Sequence, residues 1–141
     1  MTARISAKEF RALARKEARP SRARRKEEQD LQIAVAGMLD LIRLPEWIFF
    51  HVPNGGVRSK AEAAILKAMG VKAGVHDIVI IWRGRCIVIE LKAPDGKLSK
   101  AQKDWAVEAL LAGVVIFEAR SMKEVLAILD LLAIPHKPVK L

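Results

Sequence analysis

Three residues have types and spacing suited to chemistry on phosphate: Asp77, Glu90 and Lys92, all within GVHDIVIIWRGRCIVIELK, residues 74 to 92. Two runs rich in Val and Ile, each short enough to be a strand, meet at Arg83-Gly84. If those two residues form the turn, Trp82 lies opposite Arg85, and counting back sets Asp77 opposite Glu90. Directly paired residues share a face of the sheet with Cβ atoms ~4.5–5.5 Å apart. Arg-Gly is a weaker two-residue turn than Asn-Gly, so the register is an expectation. Two carboxylates at that separation repel one another unless a cation lies between them. Ligation by oxygen alone favours Mg²⁺ or Mn²⁺ over zinc. Lys92 follows Glu90 by two residues and projects from the same face of an extended strand. An amine beside a metal-bound water orients that water or helps to deprotonate it, and amine and metal together offset charge on phosphoryl oxygens. The plain alternative is an ion pair at a strand end, and E-x-K alone is weak. The combination of an acid at the start of one strand, E-x-K at the end of its partner and a basic N-terminus carries the catalytic reading. An acid and a lysine closing an Ile-Val-Ile run would also be costly to bury without a role or a partner.

The elements that must position these residues follow from periodicity. Leu31, Ala34, Val35, Met38, Leu39 and Ile42 recur at three-and-four spacing, which predicts an amphipathic helix over residues 27 to 42. WIFFHVP predicts a short buried strand, closed by the turn signal Asn54-Gly55-Gly56. Ser59, Ser99 and Ser121 each stand three residues before Glu62, Gln102 or Glu124, the spacing of a capping box. The helices they open are expected over 60 to 69, 100 to 112 and 122 to 133. HDIVIIW, RCIVIELK and VVIFEA read as strands. The resulting order is helix, strand, helix, strand, strand, helix, strand, helix: an α/β domain with a mixed sheet flanked by helices.

A chain of 141 residues has room for one domain and one core, and 52% of it is hydrophobic. No apolar run approaches the ~20 residues of a membrane span, and the charged start does not resemble a signal peptide. Cys86 is the single cysteine and no Cys/His cluster has zinc spacing, so a reducing, cytoplasmic setting is the expectation. The net charge of +9 is concentrated: residues 1 to 26 carry ten Lys/Arg against two Glu, and the remainder fifteen against fourteen acids. A basic arm of this kind fits a polyanion, because each cation that neutralises a phosphate releases counterions. A solvated tail is the bland counterpart. Membrane lipid is a weaker third reading, because the arm has few large apolar residues to insert.

Glu28-x-x-Leu31-Gln32, HVPNGGVRSKAEAAILKAMGVKAGVHD, IELK, GKLSKAQKDW and the Gly113-Val114 step occur in an order that resembles the VRR-NUC (virus-type replication-repair nuclease) family of the PD-(D/E)xK nuclease superfamily. The likeness runs from Glu28 to about Asp130, more than two-thirds of the chain. It implies a PD-(D/E)xK nuclease-like fold and a Mg²⁺- or Mn²⁺-dependent endonuclease of phage or bacterial replication and repair; some stand-alone members are dimers acting on branched DNA. By position, the resemblance implies that Asp77 and Glu90 hold metal and that Lys92 is the catalytic lysine. Glu28 would be an accessory acid at the metal or its water. Gln102 matches a glutamine often found near these sites, and it fits position N3 of its capping box equally well. One departure stands out: His76 occupies the place where the family usually has proline. Proline there supplies rigidity and no chemistry, and His76 reads as a tolerated replacement ahead of a ligand or acid/base role.

Smaller expectations complete the reading. Asn54, Gly55, Gly56 and Arg58 make either a phosphate-contacting loop or a plain turn before a capped helix. Arg22, Arg24 and Arg25 are candidate DNA contacts in the arm. Glu27 is a substitute for Glu28 in a slightly rotated helix. Trp105 and Val107 read as packing residues and Cys86 as a core thiol. His51 is a candidate for DNA contact or a turn hydrogen bond, and His136 carries no signal. The chain thus divides into an arm at 1–26, a nuclease-like domain at 27–134 and a tail at 135–141. DNA is the expected partner, and the resemblance points to branched DNA. A catalytically silent binding module, or a structural subunit of a replication or packaging complex, is the rival. The last helix has more apolar residues than one core stripe needs, so it or the helix over 100 to 112 is expected at a homodimer interface.

Overall fold

The computed structural model describes residues 21–53 and 58–141. Residues 1–20 of the arm, and Asn54, Gly55 and Gly56 of the proposed phosphate loop, lie outside the described residues. The elements are α1 (Arg22–Ile42), β1 (Trp47–His51), α2 (Lys60–Ala68), β2 (Ile78–Trp82), β3 (Arg85–Leu91), α3 (Lys100–Leu111), β4 (Val115–Ala119) and α4 (Met122–Leu131). Their order is the one the sequence patterns predict.

The first helix starts five residues earlier than its apolar periodicity. Ser21 caps it, its hydroxyl accepting from the Arg24 amide at 3.2 Å. The periodicity marks only the part of α1 that packs: Val35, Met38, Leu39 and Ile42 are buried, whereas the first two turns are charged and mostly exposed. Arg22, Arg24 and Arg25 therefore belong to the same helix as the residues that pack in the core. Ser59, Ser99 and Ser121 cap α2, α3 and α4 as expected, each accepting from the amide three residues on. Among them, α3 completes the reciprocal box, with Gln102 Oε1 accepting from the Ser99 amide at 2.9 Å.

The sheet runs β1-β2-β3-β4, antiparallel across the first two pairs and parallel between β3 and β4, with α3 as the crossover. Trp82 pairs with Arg85 and Ile78 with Ile89. The turn between them has Arg83 at φ 48° and Gly84 at φ 72°, the doubly positive conformation of a type I′ hairpin. The two-residue turn thus forms, and one step beyond the ladder Asp77 falls opposite Glu90. Ile78, Ile80, Trp82, Ile87, Ile89 and Leu91 join Val35, Leu39, Ile42, Val125 and Leu129 in a single core. The other face carries Val79, Val88 and Glu90, and α3 meets it through Gln102.

Several local expectations change. β1 is an edge strand with Ile48 and Phe50 about half exposed (51% and 46%), because only its Trp47 side faces the core. Cys86 is partly exposed, not a core thiol; burial still pushes its pKa up. Trp105 packs, but Val107 is exposed on the outer side of α3. The apolar surplus of α4 is absorbed: Val125, Ile128 and Leu129 are buried, Met122, Leu126 and Leu132 pack against the core, and Leu131 is exposed. The C-terminal segment is tied down. Trp47 Nε1 donates to the Pro135 carbonyl at 2.7 Å, Lys137 N–H to that of Ile42 at 2.9 Å, and His136 bridges to Arg43.

Candidate active site

Asp77 sits in a bend immediately before β2 and is held from three sides. Its backbone carbonyl accepts from the Val52 amide at 2.9 Å and from His51 Nδ1 at 2.7 Å, which puts the His51 proton on that nitrogen. Its carboxylate Oδ2 accepts from the Leu91 amide at 2.9 Å. Glu90, near the end of β3, is 2% exposed and has donors on both oxygens. Lys92 Nζ lies 2.8 Å from Oε1, Gln102 Nε2 donates to the same oxygen at 2.5 Å, and His76 Nδ1 lies 2.7 Å from Oε2. Lys92 is itself buried, and its backbone amide continues the β3–β4 ladder by donating to the Ala119 carbonyl.

The two carboxylates are driven apart in acidity. Burial and the nearby Glu90 charge push Asp77 up to about 6, against the Leu91 amide and Lys92, which favour its anion. Burial acts the same way on Glu90, but hydrogen bonds from His76 and Lys92 outweigh it and hold this carboxyl below the usual range. Glu90 is thus a fixed anion, and Asp77 an acid under electrostatic pressure.

The second wall of the site is α1. Arg25, Glu28, Gln29 and Gln32 recur at helical spacing and face Asp77, Glu90, Lys92 and Gln102 across a cleft of about 340 Å³, with His51 at the side. Glu28 Oε1 accepts from the Ala93 amide at 3.2 Å, which ties α1 to the end of β3. Arg24 pairs with Asp95 through two bonds, Nε–Oδ1 at 3.2 Å and Nη2–Oδ2 at 2.6 Å, and so closes the loop after β3 onto α1. Arg22 and Arg58 are exposed. Gly74 sets the remaining spacing. At φ +80° it lies so close to α3 that a Cβ there would come within 2.1 Å of the Ala101 carbonyl oxygen and 2.7 Å of the Gln102 amide. That close approach brings the segment carrying His76 and Asp77 against the start of α3.

The structure therefore brings Asp77, Glu90, Lys92, Glu28, Gln102 and Arg25 together and leaves Arg22 and Arg58 outside the cleft. Gln102 fills both of its sequence roles at once, one amide atom in the capping box and the other on Glu90. Gln29 was not anticipated, Gln32 was noted only as part of the Glu28-x-x-Leu31-Gln32 motif, and the close engagement of His76 with Glu90 was not expected. The spacing of Arg25, Glu28, Gln29 and Gln32 on one helical face was the signal for the first two; for His76 the signal was its departure from the proline of the resembled family, read above as a tolerated replacement.

The donor set suits a hard cation. Among the described residues no group of three or more His, Cys, Asp or Glu side chains gathers closely enough to enclose an ion. Mg²⁺, however, is held by one or two carboxylates with waters and substrate phosphates completing its shell. Asp77 and Glu90 supply two carboxylates whose mutual repulsion a cation would relieve. Gln32 Oε1, a buried oxygen in the cleft wall, has no hydrogen-bond partner among the described residues.

No family model and no curated relative matches the sequence. A solved structure described as a VRR_NUC domain protein does match: 25% identity, TM-score 0.59, with 73% of this chain and 84% of that one covered. Over that length the chain is similar in fold to a VRR_NUC domain protein, the family whose order of motifs its sequence resembles.

Proposed function

We propose that the chain is a Mg²⁺- or Mn²⁺-dependent endonuclease that hydrolyses DNA phosphodiester bonds. One observation carries the reading: Asp77, Glu90 and Lys92 line one cleft, with the lysine amine in contact with the glutamate and α1 as the opposite wall. The nuclease character of the family supports it. Asp77 and Glu90 would hold the cation, with Gln32 Oε1 and Glu28 beside them. When bound, the cation supplies Lewis-acid stabilisation of the phosphoryl oxygens.

The rest falls to the chain's own side chains. Lys92 places a positive charge at the carboxylate pair, where it orients the attacking water and offsets charge building on phosphorus. Water forms the new P–O bond, the bond to the leaving sugar oxygen breaks, and a proton passes to that oxygen. Gln102 fixes Glu90 from the helix side. Arg25 lies at the cleft wall in reach of a backbone phosphate. Branched DNA in a phage or bacterial replication and repair setting is the substrate context we favour. A homodimer would present two such clefts in matched orientation. Its interface falls on the end of α3, where Val107, Leu110 and Leu111 are exposed (61%, 66% and 85%), in preference to α4.

One observation favours a second reading, a DNA-binding subunit without catalysis. Both Glu90 oxygens already have donors on this chain. Cleavage of labelled linear, flap and four-way-junction DNA with Mg²⁺, Mn²⁺ or EDTA separates the two. We expect cutting with metal and none with EDTA. Glu90→Ala and Lys92→Ala should each lose at least ~10²-fold, the scale of a lost electrostatic stabiliser. A folded Lys92→Ala protein cutting at the wild-type rate would end the assignment. Tight DNA binding with no cutting under any metal would establish the second reading.

A further inference from the structure

His76 is fully buried (0% exposed), yet among the described residues its side chain has a single polar partner, Glu90 Oε2 at 2.7 Å. Its other nitrogen, Nε2, is buried with no hydrogen-bond partner among the described residues, and the ring meets Trp105 edge-on at 5.2 Å between centroids and 85° between planes. Burying an unpartnered polar nitrogen is unfavourable, and an apolar side chain would fill this space without that cost. The compensating interaction is therefore the bond to Glu90.

Geometry shows what that bond adds. Lys92 and Gln102 both reach Oε1, which pins one end of the carboxylate but leaves its plane free to turn about that point. His76 holds Oε2, and Trp105 holds His76. Three donors on two oxygens define the plane, and with it the direction of the lone pairs that remain for a ligand.

We infer that His76 is a positioning residue that fixes the plane of the Glu90 carboxylate toward the cleft. The inference rests on the reading of Glu90 as a metal-holding carboxylate. Bonds of this kind behind a ligand are worth ~10–100-fold in metal affinity.

Mn²⁺ titration of the free protein, followed by electron paramagnetic resonance, tests it without recourse to activity. Circular dichroism checks the fold of each variant, and kcat and KM on DNA are measured alongside. His76→Leu and His76→Phe keep an apolar body against Trp105 and delete the donor; Mn²⁺ binding should weaken at least ~10-fold, with KM for DNA unchanged. His76→Asn carries an amide nitrogen at the position of Nδ1 and should recover most of the binding. His76→Gln, whose amide falls at the position of Nε2, should not. The Asn and Gln pair keeps the test decisive if the apolar variants fail to fold. Wild-type Mn²⁺ affinity in His76→Leu, or equal affinity in the Asn and Gln variants, overturns the role of His76. Glu90→Ala is the reference: if it too binds Mn²⁺ normally, the reading of Glu90 falls, and His76 falls with it. If Glu90→Ala loses the ion and His76→Leu keeps it, the inference about His76 fails alone.

Discussion

Of the two cleft carboxyls, Asp77 is the one whose ionisation the fold opposes. Its carboxyl titrates near 6 in the folded chain, against ~3.9 in an unfolded one, because burial and Glu90 oppose its ionisation. Between those values the folded state binds the extra proton, so the stabilising term is complete below about pH 4 and is lost as pH rises through about 6. In EDTA, urea melts should show stability falling across that window. Asp77→Asn, which keeps an oxygen for the Leu91 amide, should be more stable than wild type at neutral pH by on the order of 2 kcal/mol, and no more stable below about pH 4. Added Mn²⁺ should reverse the order, stabilising the wild type and leaving the variant unmoved. An Asp77→Asn protein less stable than wild type at neutral pH in EDTA would contradict the electrostatic account.

Among the elements, the joint between the Gly74 turn and the start of α3 sets the geometry of the site. Gly74 has a positive φ and backbone against backbone, so an alanine there meets both a left-handed penalty and a clash with Ala101 that no side-chain motion relieves. Gly74→Ala should cost more than the ~1–2 kcal/mol of a left-handed alanine and lower the melting temperature by at least ~4 °C. Cleavage should fall with it, because His76, Asp77 and Gln102 all flank that joint. An unchanged melting temperature would refute the contact. Element types and order were legible because each signal was local: capping serines, three-and-four spacing and runs of Val and Ile. The hairpin register was legible because a two-residue turn leaves no slack. What stayed hidden was long-range. The register brings His76 near Glu90 but does not say which way its ring turns, and nothing in Pro135 to Lys137 announces that they bind Trp47 and Ile42. Cys86 and β1 were misjudged for a related reason, since apolar composition does not reveal which strand takes the edge.

Across the whole molecule the basic charge splits in two. Residues 1–20 carry six Lys/Arg against two Glu, and Arg22, Arg24, Arg25 and Lys26 follow within α1. Deletion through residue 26 would remove the Ser21 cap, the Arg24–Asp95 pair and Arg25 of the cleft together. The informative truncation stops at residue 20. It should weaken DNA binding for all sequences and flatten the dependence on salt, while kcat at saturating DNA holds, since phosphate contacts set that slope. An unchanged slope would assign the first twenty residues to another partner. Light scattering at micromolar concentration should give twice the chain mass of 15.7 kDa, and Leu110→Glu with Leu111→Glu should return it to the single mass; a monomer from the outset would remove the paired-cleft proposal.

Gln102 joins two equilibria that are ordinarily separate. Its carbonyl oxygen closes the first turn of α3 and its amide nitrogen holds Glu90, so each fraying of that turn withdraws a donor from the site. Helix ends open at far smaller free energies than whole domains. On warming, cleavage should therefore decline before the core melts, in step with faster hydrogen exchange at the Gln102 and Lys103 amides. Loss of cleavage only at the melting temperature of the core would separate the turn from the site.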